Sequence, residues 1–215
     1  MVSLGESFPR EFYYGSVSVK KEFISEGLAS ESLTKFKEFV NSLPISKHSV
    51  ELCNTVFDSL FKVNPSWFIL PTSTGGKYHG GPSGKQNSVG GIYHHIAGTV
   101  KCSTFVIARY KDLLGTSFAS SRELLTIACL LHDVGRMGLQ EGNFYSVSNH
   151  GELGAKFISG IVSVDPSIIY GISNHMYGWK VVNIYNYILA HGIDNSLLLL
   201  AMLTESDYFC TKFLI

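Results

Sequence analysis

The amino-acid sequence predicts an all-α fold, and two observations support that prediction. Apolar residues recur at helical spacing along most of the chain, and no segment alternates apolar and polar residues beside a good turn signal. With 45% apolar and 16% charged residues among 215, the chain can bury a sizeable core. We expect one helical domain over residues 31–215, preceded by an extended or partly ordered arm over residues 1–30, where periodicity is low.

The first two helices are predicted from caps, apolar spacing and helix-breaking residues. Ser32 is placed to cap a helix through LTKFKEFVNSL, and Pro44 ends that helix. A second helix is predicted over residues 48–63, HSVELCNTVFDSLFKV, where the apolar residues fall at helical spacing. Asn64 and Pro65 then break the pattern.

A Gly/Ser-rich loop over residues 71–91, PTSTGGKYHGGPSGKQNSVGG, interrupts the helical pattern. Loops of this length inside compact domains are often functional, so we expect this one to form part of an active-site rim. A short β-hairpin near residues 67–80 is a further expectation.

The helical pattern resumes at His95 and continues to the end of the sequence. Ser121 is expected to cap the helix that carries LLTIACLLHDVGR, with Glu123 in its first turn. Gly115 and Pro166 separate neighbouring helices. The predicted helices cover residues 96–114, 121–134, 151–163, 166–175, 180–191 and 195–211.

Charge and composition restrict the classes of function. The formal net charge is zero, so there is no basic field that would hold duplex nucleic acid through its phosphates. The N-terminal residues lack the apolar segment of a secretory signal, and apolar stretches fall short of the roughly 20 residues that span a bilayer. We therefore expect a cytoplasmic protein without a membrane partner, whose four cysteines are buried, reduced thiols.

The most informative feature is the adjacent pair His132 and Asp133, at the end of an apolar run. Neighbouring residues on a helix project about 100° apart, so this pair can flank one ion where the helix ends. Imidazole nitrogen and carboxylate oxygen together suit catalytic divalent metals. Four more metal-capable residues have suitable local settings, namely His95, His150, His175 and Asp207.

Five local motifs resemble those of the HD superfamily of metal-dependent phosphohydrolases. GGIYHH resembles the glycine pair before the first histidine, and LLHDVGR resembles the signature LHDIGK. SNHGELGA and ISNHMYGW resemble two further histidine motifs, and LTESDYF resembles the helix that carries the terminal aspartate. Their order, H…HD…H…H…D, argues against a chance match. GKYH and NHMYGW are also similar to uncharacterised phage-encoded HD proteins, which implies a host cytoplasm as the location.

This resemblance implies an HD-type helical bundle with a dinuclear metal centre. The cofactors would be one or two divalent cations, chosen from Mn, Fe, Ni, Co, Zn and Mg. A water between two dications would lose a proton and become the nucleophile. One ion would be held by His95, His132, Asp133 and Asp207, and the other by the bridging Asp133 with His150 and His175. The implied catalytic residues are His95, His132, Asp133, Arg136 and Asp207.

The resemblance also indicates residues that contact a substrate. Arg136 stands where the family often has a lysine, and its guanidinium can hold a pair of phosphate oxygens. Aromatic faces beside a phosphate site fit a nucleobase. The expected substrate-binding residues are Lys77, Tyr78, His79, Arg136, Tyr177 and Trp179.

Simpler structural roles stay open for several of these residues. His94 competes with His95 as the first ligand, and Arg136 can instead complement a helix dipole at its C-terminal end. Core packing would also account for Tyr78 and Trp179. His79 can be an ordinary loop residue, and His48 and His191 can be surface residues.

The leading hypothesis is a phosphohydrolase that cleaves a phosphoester bond of a nucleotide or of a cyclic or short oligonucleotide. Two rival functions stay open: an HD-fold di-iron oxygenase with the same ligands, and a non-catalytic module that binds metal or nucleotide. The expected partner is a small phosphorylated molecule. The apolar end TKFLI indicates either packing on the N-terminal arm or a partner surface, as in a homo-oligomer.

Overall fold

Helices dominate the computed structural model, which confirms the all-α prediction. It describes residues 11–14, 17–20, 26–72, 86, 89–140, 146–178 and 195–213. The α-helices are α1 Glu26–Ser42, α2 Lys47–Val63, α3 Gly91–Arg109, α4 Lys111–Leu114, α5 Phe118–Leu131, α6 His150–Ser159, α7 Pro166–Gly178 and α8 Asn195–Phe213.

Two strands, β1 Glu11–Tyr14 and β2 Val17–Lys20, form an antiparallel hairpin before the first helix. Their register places Glu11 opposite Lys20. The sequence predicts only an extended or partly ordered chain here, because the alternation of Val17 and Val19 with Ser18 and Lys20 covers only four residues.

The prediction of a β-hairpin near residues 67–80 is wrong for the residues of that range that the structure describes. Residues Pro65–Ile69 form a 3-10 helix, and residues 73–80 lie outside the described part of the chain. Pro65 is the first residue of that 3-10 helix, a position where its missing N–H leaves no hydrogen bond unmade.

Two predicted caps are also wrong. Ser32 lies inside α1, where its hydroxyl donates to the carbonyl of Phe68 at 2.7 Å. Ser121 lies inside α5, which begins at Phe118. At Ser32 a hydrogen-bond partner distant in sequence overrides the local cap signal, and at Ser121 a helix start further upstream does so.

The helix predicted over residues 96–114 begins earlier, at Gly91, and is divided at Tyr110 into α3 and α4, and α1 begins at Glu26, inside the predicted arm. The other boundaries agree with the predictions to within a few residues. The second helix ends before Asn64, and Gly115 follows α4. Helices also begin at Pro166 and cover residues 195–211, as the pattern predicts. The predicted helix over residues 180–191 lies outside the described residues.

Helix α8 packs against α3, α5 and α7, and α6 packs against α7. The inner face of each of these helices contributes apolar side chains to the core. Helices α1 and α2, with the 3-10 helix after them, cover the side of α3 and α5. The bundle therefore leaves a polar cluster enclosed between α3, α5, α6, α7 and α8.

An aromatic cluster joins α1, α2 and the 3-10 helix into one unit. The ring of Phe36 lies 5.1 Å from that of Phe57, 5.4 Å from Trp67 and 5.5 Å from Phe68. Tyr93 of α3 contacts the same ring edge-on at 5.1 Å. These contacts attach the N-terminal helices to the helix that carries the first candidate ligand.

None of the helices in the described part of the chain has the length and apolarity needed to cross a lipid bilayer. All four cysteines are buried and free of disulfides, as predicted. Burial raises the pKa of the Cys53 thiol to about 12. A thiol in such a setting is a packing residue with little nucleophilic character.

We expect Phe36→Ala to lower the free energy of unfolding by about 3–5 kcal/mol, because Phe36 is fully buried among four aromatic rings. Urea unfolding followed by circular dichroism measures the change. Phe105, on α3, is 68% exposed and is the matched control. Phe105→Ala should stay within about 0.5 kcal/mol of the parent. Equal losses in the two variants would contradict the described core.

Glu123 links two helices and makes stability depend on pH. Its carboxylate accepts hydrogen bonds from the Ser49 hydroxyl at 2.5 Å and the Ser46 backbone N–H at 3.0 Å. Hydrogen bonds from Ser46 and Ser49 hold the pKa of Glu123 below its usual value of 4.5. A lowered carboxyl pKa contributes stability above the unfolded-state value, and the contribution is lost as pH falls through the folded-state value.

We therefore expect Glu123→Gln to destabilise the protein at pH 7 by about 0.5–1 kcal/mol, since the site is partly exposed. The difference from the parent should shrink as the pH falls below the usual carboxyl pKa. Urea titrations at several pH values measure both effects. Glu51→Gln, on the exposed side of α2, serves as the control and should show neither effect. A pH-independent difference would refute the role of the Glu123 charge.

Candidate metal centre

Six polar side chains from five helices or helix ends converge in the interior. They are almost fully buried, with exposures between 0% and 6%. Burial of this many imidazoles and carboxylates is costly unless each finds a partner. The residues are His95 on α3, His132 and Asp133 after α5, His150 at the start of α6, His175 on α7 and Asp207 on α8.

The first histidine is positioned by the start of α3. Gly90 adopts a left-handed conformation with φ of 73°, and the helix begins at the next residue. His95 is buried between Ile92 and Ile96 on the inner face of α3, whereas His94 is exposed. His94 therefore does not reach the cluster, and His95 does.

The His–Asp pair lies where α5 ends, as the apolar run predicts. Leu131 is the last residue of α5, and His132 follows as its C-terminal cap. Trp67 supports the turn, because its indole N–H donates to the carbonyl of Asp133 at 3.1 Å. The helix ends three residues before the predicted limit of 134, so the two side chains project from the turn.

His95 forms one half of the cluster. Its Nε2 lies 3.2 Å from Asp207 Oδ1, 3.3 Å from Asp133 Oδ2 and 3.2 Å from Nε2 of His132. His132 Nε2 lies 3.6 Å from the same Asp133 oxygen. Four side chains thus present their polar atoms to one small volume.

His150 and His175 form the other half. Their Nε2 atoms lie 3.2 Å apart, and they are 3.2 Å and 3.8 Å from Asp133 Oδ1. Asp133 therefore turns one carboxylate oxygen to each half. A carboxylate in this position can contact two cations at once.

Backbone contacts fix the tautomers of three histidines. Each Nδ1 lies within hydrogen-bond distance of the main-chain carbonyl three residues earlier. A carbonyl only accepts, so Nδ1 carries the proton and Nε2 turns its lone pair into the cluster. The pairs are His132 with Cys129 at 2.9 Å, His150 with Val147 at 2.9 Å, and His175 with Ile172 at 2.7 Å.

One buried carboxylate oxygen indicates whether a metal ion fits this cluster of side chains. Among the described residues, Asp133 Oδ1 has no hydrogen-bond donor, although Nε2 of His150 lies 3.2 Å away. Both atoms are acceptors when Nδ1 of His150 holds the proton, so their close approach is unfavourable without a cation. A divalent ion satisfies the oxygen and the facing lone pairs together, so the residues fit a metal.

The electrostatics of the cluster keep its carboxylates charged. Burial by itself raises the pKa of Asp133, but the positive charge of the Arg136 guanidinium helps to hold it well below its usual range. Burial likewise opposes ionisation of Asp207, but the hydrogen bond and charge of His95 are foremost among the contacts that together lower its pKa. With Arg136 counted and the imidazoles neutral, the two carboxylates leave a net charge of −1, which favours a bound cation.

The pKa values of His132 and His95 shift in opposite directions, although both side chains are buried. Burial lowers the pKa of His132 to about 4, which favours the neutral ring that a metal requires. Burial also disfavours a charged His95, but hydrogen bonds to Asp133 and Asp207 raise its pKa well above the usual value.

Within the part of the chain that the structure describes, three overlapping groups of residues could hold a metal ion, and together they include all six side chains. In each group the ligand atoms lie within 4.8 Å of one another. The groups are His95, His132 and Asp133; His132, His175 and Asp207; and Asp133, His150 and His175.

Arg136 lies against the cluster itself. Its Nη1 donates to Asp133 Oδ2 at 2.6 Å, and the side chain is only 13% exposed. The sequence predicts that this guanidinium contacts phosphate, whereas the structure places it on the shared carboxylate. This contact also explains part of the lowered pKa of Asp133.

The remaining predicted substrate contacts fall outside what the structure describes. Lys77, Tyr78, His79 and Trp179 lie outside the described residues, as does His191. Tyr177 belongs to α7 through its backbone, but its side chain is not described. His48 is exposed, as predicted.

Two supporting residues were not predicted from the sequence. Trp67 holds the Asp133 carbonyl, and Gln86 places its amide beside Nδ1 of His95 at 3.2 Å. Neither has a local signal, since Trp67 follows a helix break and Gln86 lies in a Gly/Ser-rich loop. Only the folded chain brings them to the cluster.

The chain belongs to the HD domain family. The family model for the HD domain matches residues 92–203, just over half of the chain. Five of the six clustered residues lie within that match, and Asp207 lies four residues beyond it. Members of this family are mostly metal-dependent phosphohydrolases, and they bind divalent metals. No curated protein and no solved structure matches the chain.

We expect Gly135→Ala to destabilise the protein by about 1–3 kcal/mol, because a methyl group there would collide with backbone atoms of His150 and Gly154. Neither obstacle is a flexible side chain, so the turn after Asp133 and the start of α6 must separate. Thermal unfolding measures the loss.

Gly160→Ala is the matched control for this substitution. A methyl group on Gly160 would meet its nearest atoms at 3.5 Å and 3.6 Å, which is ordinary contact. Its φ of −79° also suits alanine. A Gly135→Ala variant as stable as Gly160→Ala would contradict the close packing of the turn on α6.

Proposed function

We propose that this protein is a metal-dependent phosphohydrolase whose site consists of His95, His132, Asp133, His150, His175 and Asp207. The observation that carries the proposal is the convergence of buried imidazole Nε2 atoms on two ionised carboxylates. Such a donor set suits Mn, Fe, Co, Ni or Zn better than Mg, which prefers oxygen ligands and retained water.

The geometry favours two ions that share Asp133. One carboxylate oxygen of Asp133 faces His95 and His132, and the other faces His150 and His175. We assign Asp207 to the first ion, because its Oδ1 is 3.2 Å from Nε2 of His95. The third possible group, which joins His175 to Asp207, indicates that the two halves are close enough to act on one substrate.

Divalent ions at this site would supply an acidified water as nucleophile and neutralise charge on phosphoryl oxygens. The protein's own residues hold the geometry. Backbone carbonyls keep three imidazoles in the ligating tautomer, and Arg136 orients the Asp133 carboxylate through a 2.6 Å hydrogen bond. The apolar helices around them exclude bulk water, which strengthens each electrostatic contact.

We infer a small phosphorylated substrate, either a nucleotide or a cyclic or short oligonucleotide. The zero net charge disfavours duplex nucleic acid, which needs an extended basic surface. The aromatic and basic residues Lys77, Tyr78, His79, Tyr177 and Trp179 support a nucleotide by their chemistry and their place beside the ligand motifs in sequence.

A second candidate is an oxygenase with an iron pair. The observation that favours an oxygenase is the ligand set, because four imidazoles and a shared carboxylate also suit iron. Dependence on oxygen separates the two functions, since a Mn-loaded hydrolase turns over without oxygen. A module that binds metal without catalysis would retain metal on elemental analysis and release no product.

We expect Asp133→Ala to abolish Mn-dependent product release from a panel of nucleotide monophosphates, cyclic nucleotides and dinucleotides. Losing an outer hydrogen-bond partner of a metal ligand costs about 10–100-fold, and losing the shared ligand should cost more. Product release is measured by chromatography under anaerobic conditions, and bound Mn by elemental analysis.

Asp112→Ala serves as the control for this substitution, because Asp112 is an exposed carboxylate on the short helix α4. It should keep the activity and metal content of the parent. Circular dichroism establishes that both variants fold. Undiminished anaerobic turnover by folded Asp133→Ala would refute the proposed mechanism.

A further inference from the structure

We propose that Gln86 is a positioning residue that fixes the tautomer of His95 and bridges α3 and α8 beside the metal centre. The proposal rests on the proposed function, because it assigns a role toward the same site. Gln86 does not contact the reacting atoms. It acts through the ring of His95, whose Nδ1 lies 3.2 Å from the Gln86 side-chain oxygen.

His95 differs from the other three histidines in how its outer nitrogen is held. His132, His150 and His175 each use a main-chain carbonyl of their own helix or turn. A side-chain amide from a separate segment faces Nδ1 of His95 at 3.2 Å instead, and Cys210 Sγ lies further from the same nitrogen at 3.7 Å. The orientation of this ligand therefore depends on a residue outside its helix.

The orientation of the Gln86 amide follows from its second contact. Its Nε2 donates to the main-chain carbonyl of Cys210 at 3.3 Å. A carbonyl cannot donate, so the amide nitrogen must face α8 and the amide oxygen must face His95. Nδ1 of His95 must then carry the proton, which leaves Nε2 facing Asp133 and Asp207.

The backbone of Gln86 is held firmly enough to make the contact specific. Both the N–H and the hydroxyl of Thr72 donate to its carbonyl, at 2.9 Å and 2.7 Å. Gly91 lies so close that a methyl group there would collide with the same carbonyl. The glycine before His95 therefore gives Gln86 room to approach the start of α3.

Gln86 also connects the two helices that carry the outermost ligands. Its amide contacts His95 on α3 and the carbonyl of Cys210 on α8, one turn after Asp207. The side chain is 4% exposed, so these contacts are made away from bulk water. A change in the position of Gln86 would move the His95 ring relative to Asp207.

Three variants separate positioning from packing. Gln86→Met keeps the side-chain length and removes the amide contacts to His95 and Cys210, whereas Gln86→Glu keeps an acceptor for Nδ1 of His95. Thr99→Val is the matched control, because Thr99 is buried one turn from His95 and its hydroxyl donates to the His95 carbonyl without touching the imidazole ring. Mn binding is measured by chelator competition without any phosphoester present.

We expect Gln86→Met to raise the dissociation constant of one bound Mn by about 10–100-fold. Gln86→Glu should recover most of that affinity, and Thr99→Val should bind as the parent does. An unchanged affinity in folded Gln86→Met would overturn the proposal. An equal loss in Gln86→Glu would also overturn it, since the loss would then reflect packing.

A measurement on the parent protein covers the case in which Gln86→Met does not fold. In the zinc-loaded protein with ¹⁵N-labelled histidine, the His95 ring should show a protonated Nδ1 and a ligated Nε2. The spectrum of His95→Asn assigns the resonance. A ring ligated through Nδ1 would overturn the proposal whatever the variants do. If metal binds as expected but no phosphoester is cleaved, the hydrolase proposal fails and the role of Gln86 stands.

Discussion

The packing of four imidazole Nε2 atoms around two buried carboxylates is the constraint on which the rest of the structure depends. Backbone carbonyls fix the tautomers of His132, His150 and His175, so their lone pairs point at one another across about the width of an ion. Such an arrangement is unfavourable in an apolar interior unless positive charge lies within it. The facing lone pairs therefore lower the stability of the metal-free fold and raise its affinity for a cation.

Rigidity around the site comes from elements that contribute no ligand. The 3-10 helix at Pro65–Ile69 places Trp67 under the carbonyl of Asp133, and the ring of Phe36 packs on the same indole. Because Phe36 also contacts Tyr93 of α3, one aromatic cluster steadies both the His–Asp turn and the helix of the first histidine. The N-terminal helices therefore act on the site through packing.

The sequence predicts the helices and the six clustered residues better than it predicts their supports. Helical spacing places His95 on the same face as Ile92, and an apolar run ending in His132 marks where a buried helix surfaces. Local capping rules fail at Ser32, because its hydroxyl contacts Phe68 instead. Gln86 is unpredictable, since its partners lie 9 and 124 residues away and no periodic pattern encodes such contacts.

The spread of the six residues along the chain has a consequence for assembly. His95 lies on α3 and Asp207 on α8, so the cluster is complete only once the last described helix has packed against the first ligand helix. Metal binding to the complete cluster then stabilises that packing by mass action, because a cation has few comparable ligands in the unfolded chain. Gln86 bridges the same two helices, so its contacts couple the packing of α8 to the orientation of His95 and to any cation that His95 would hold.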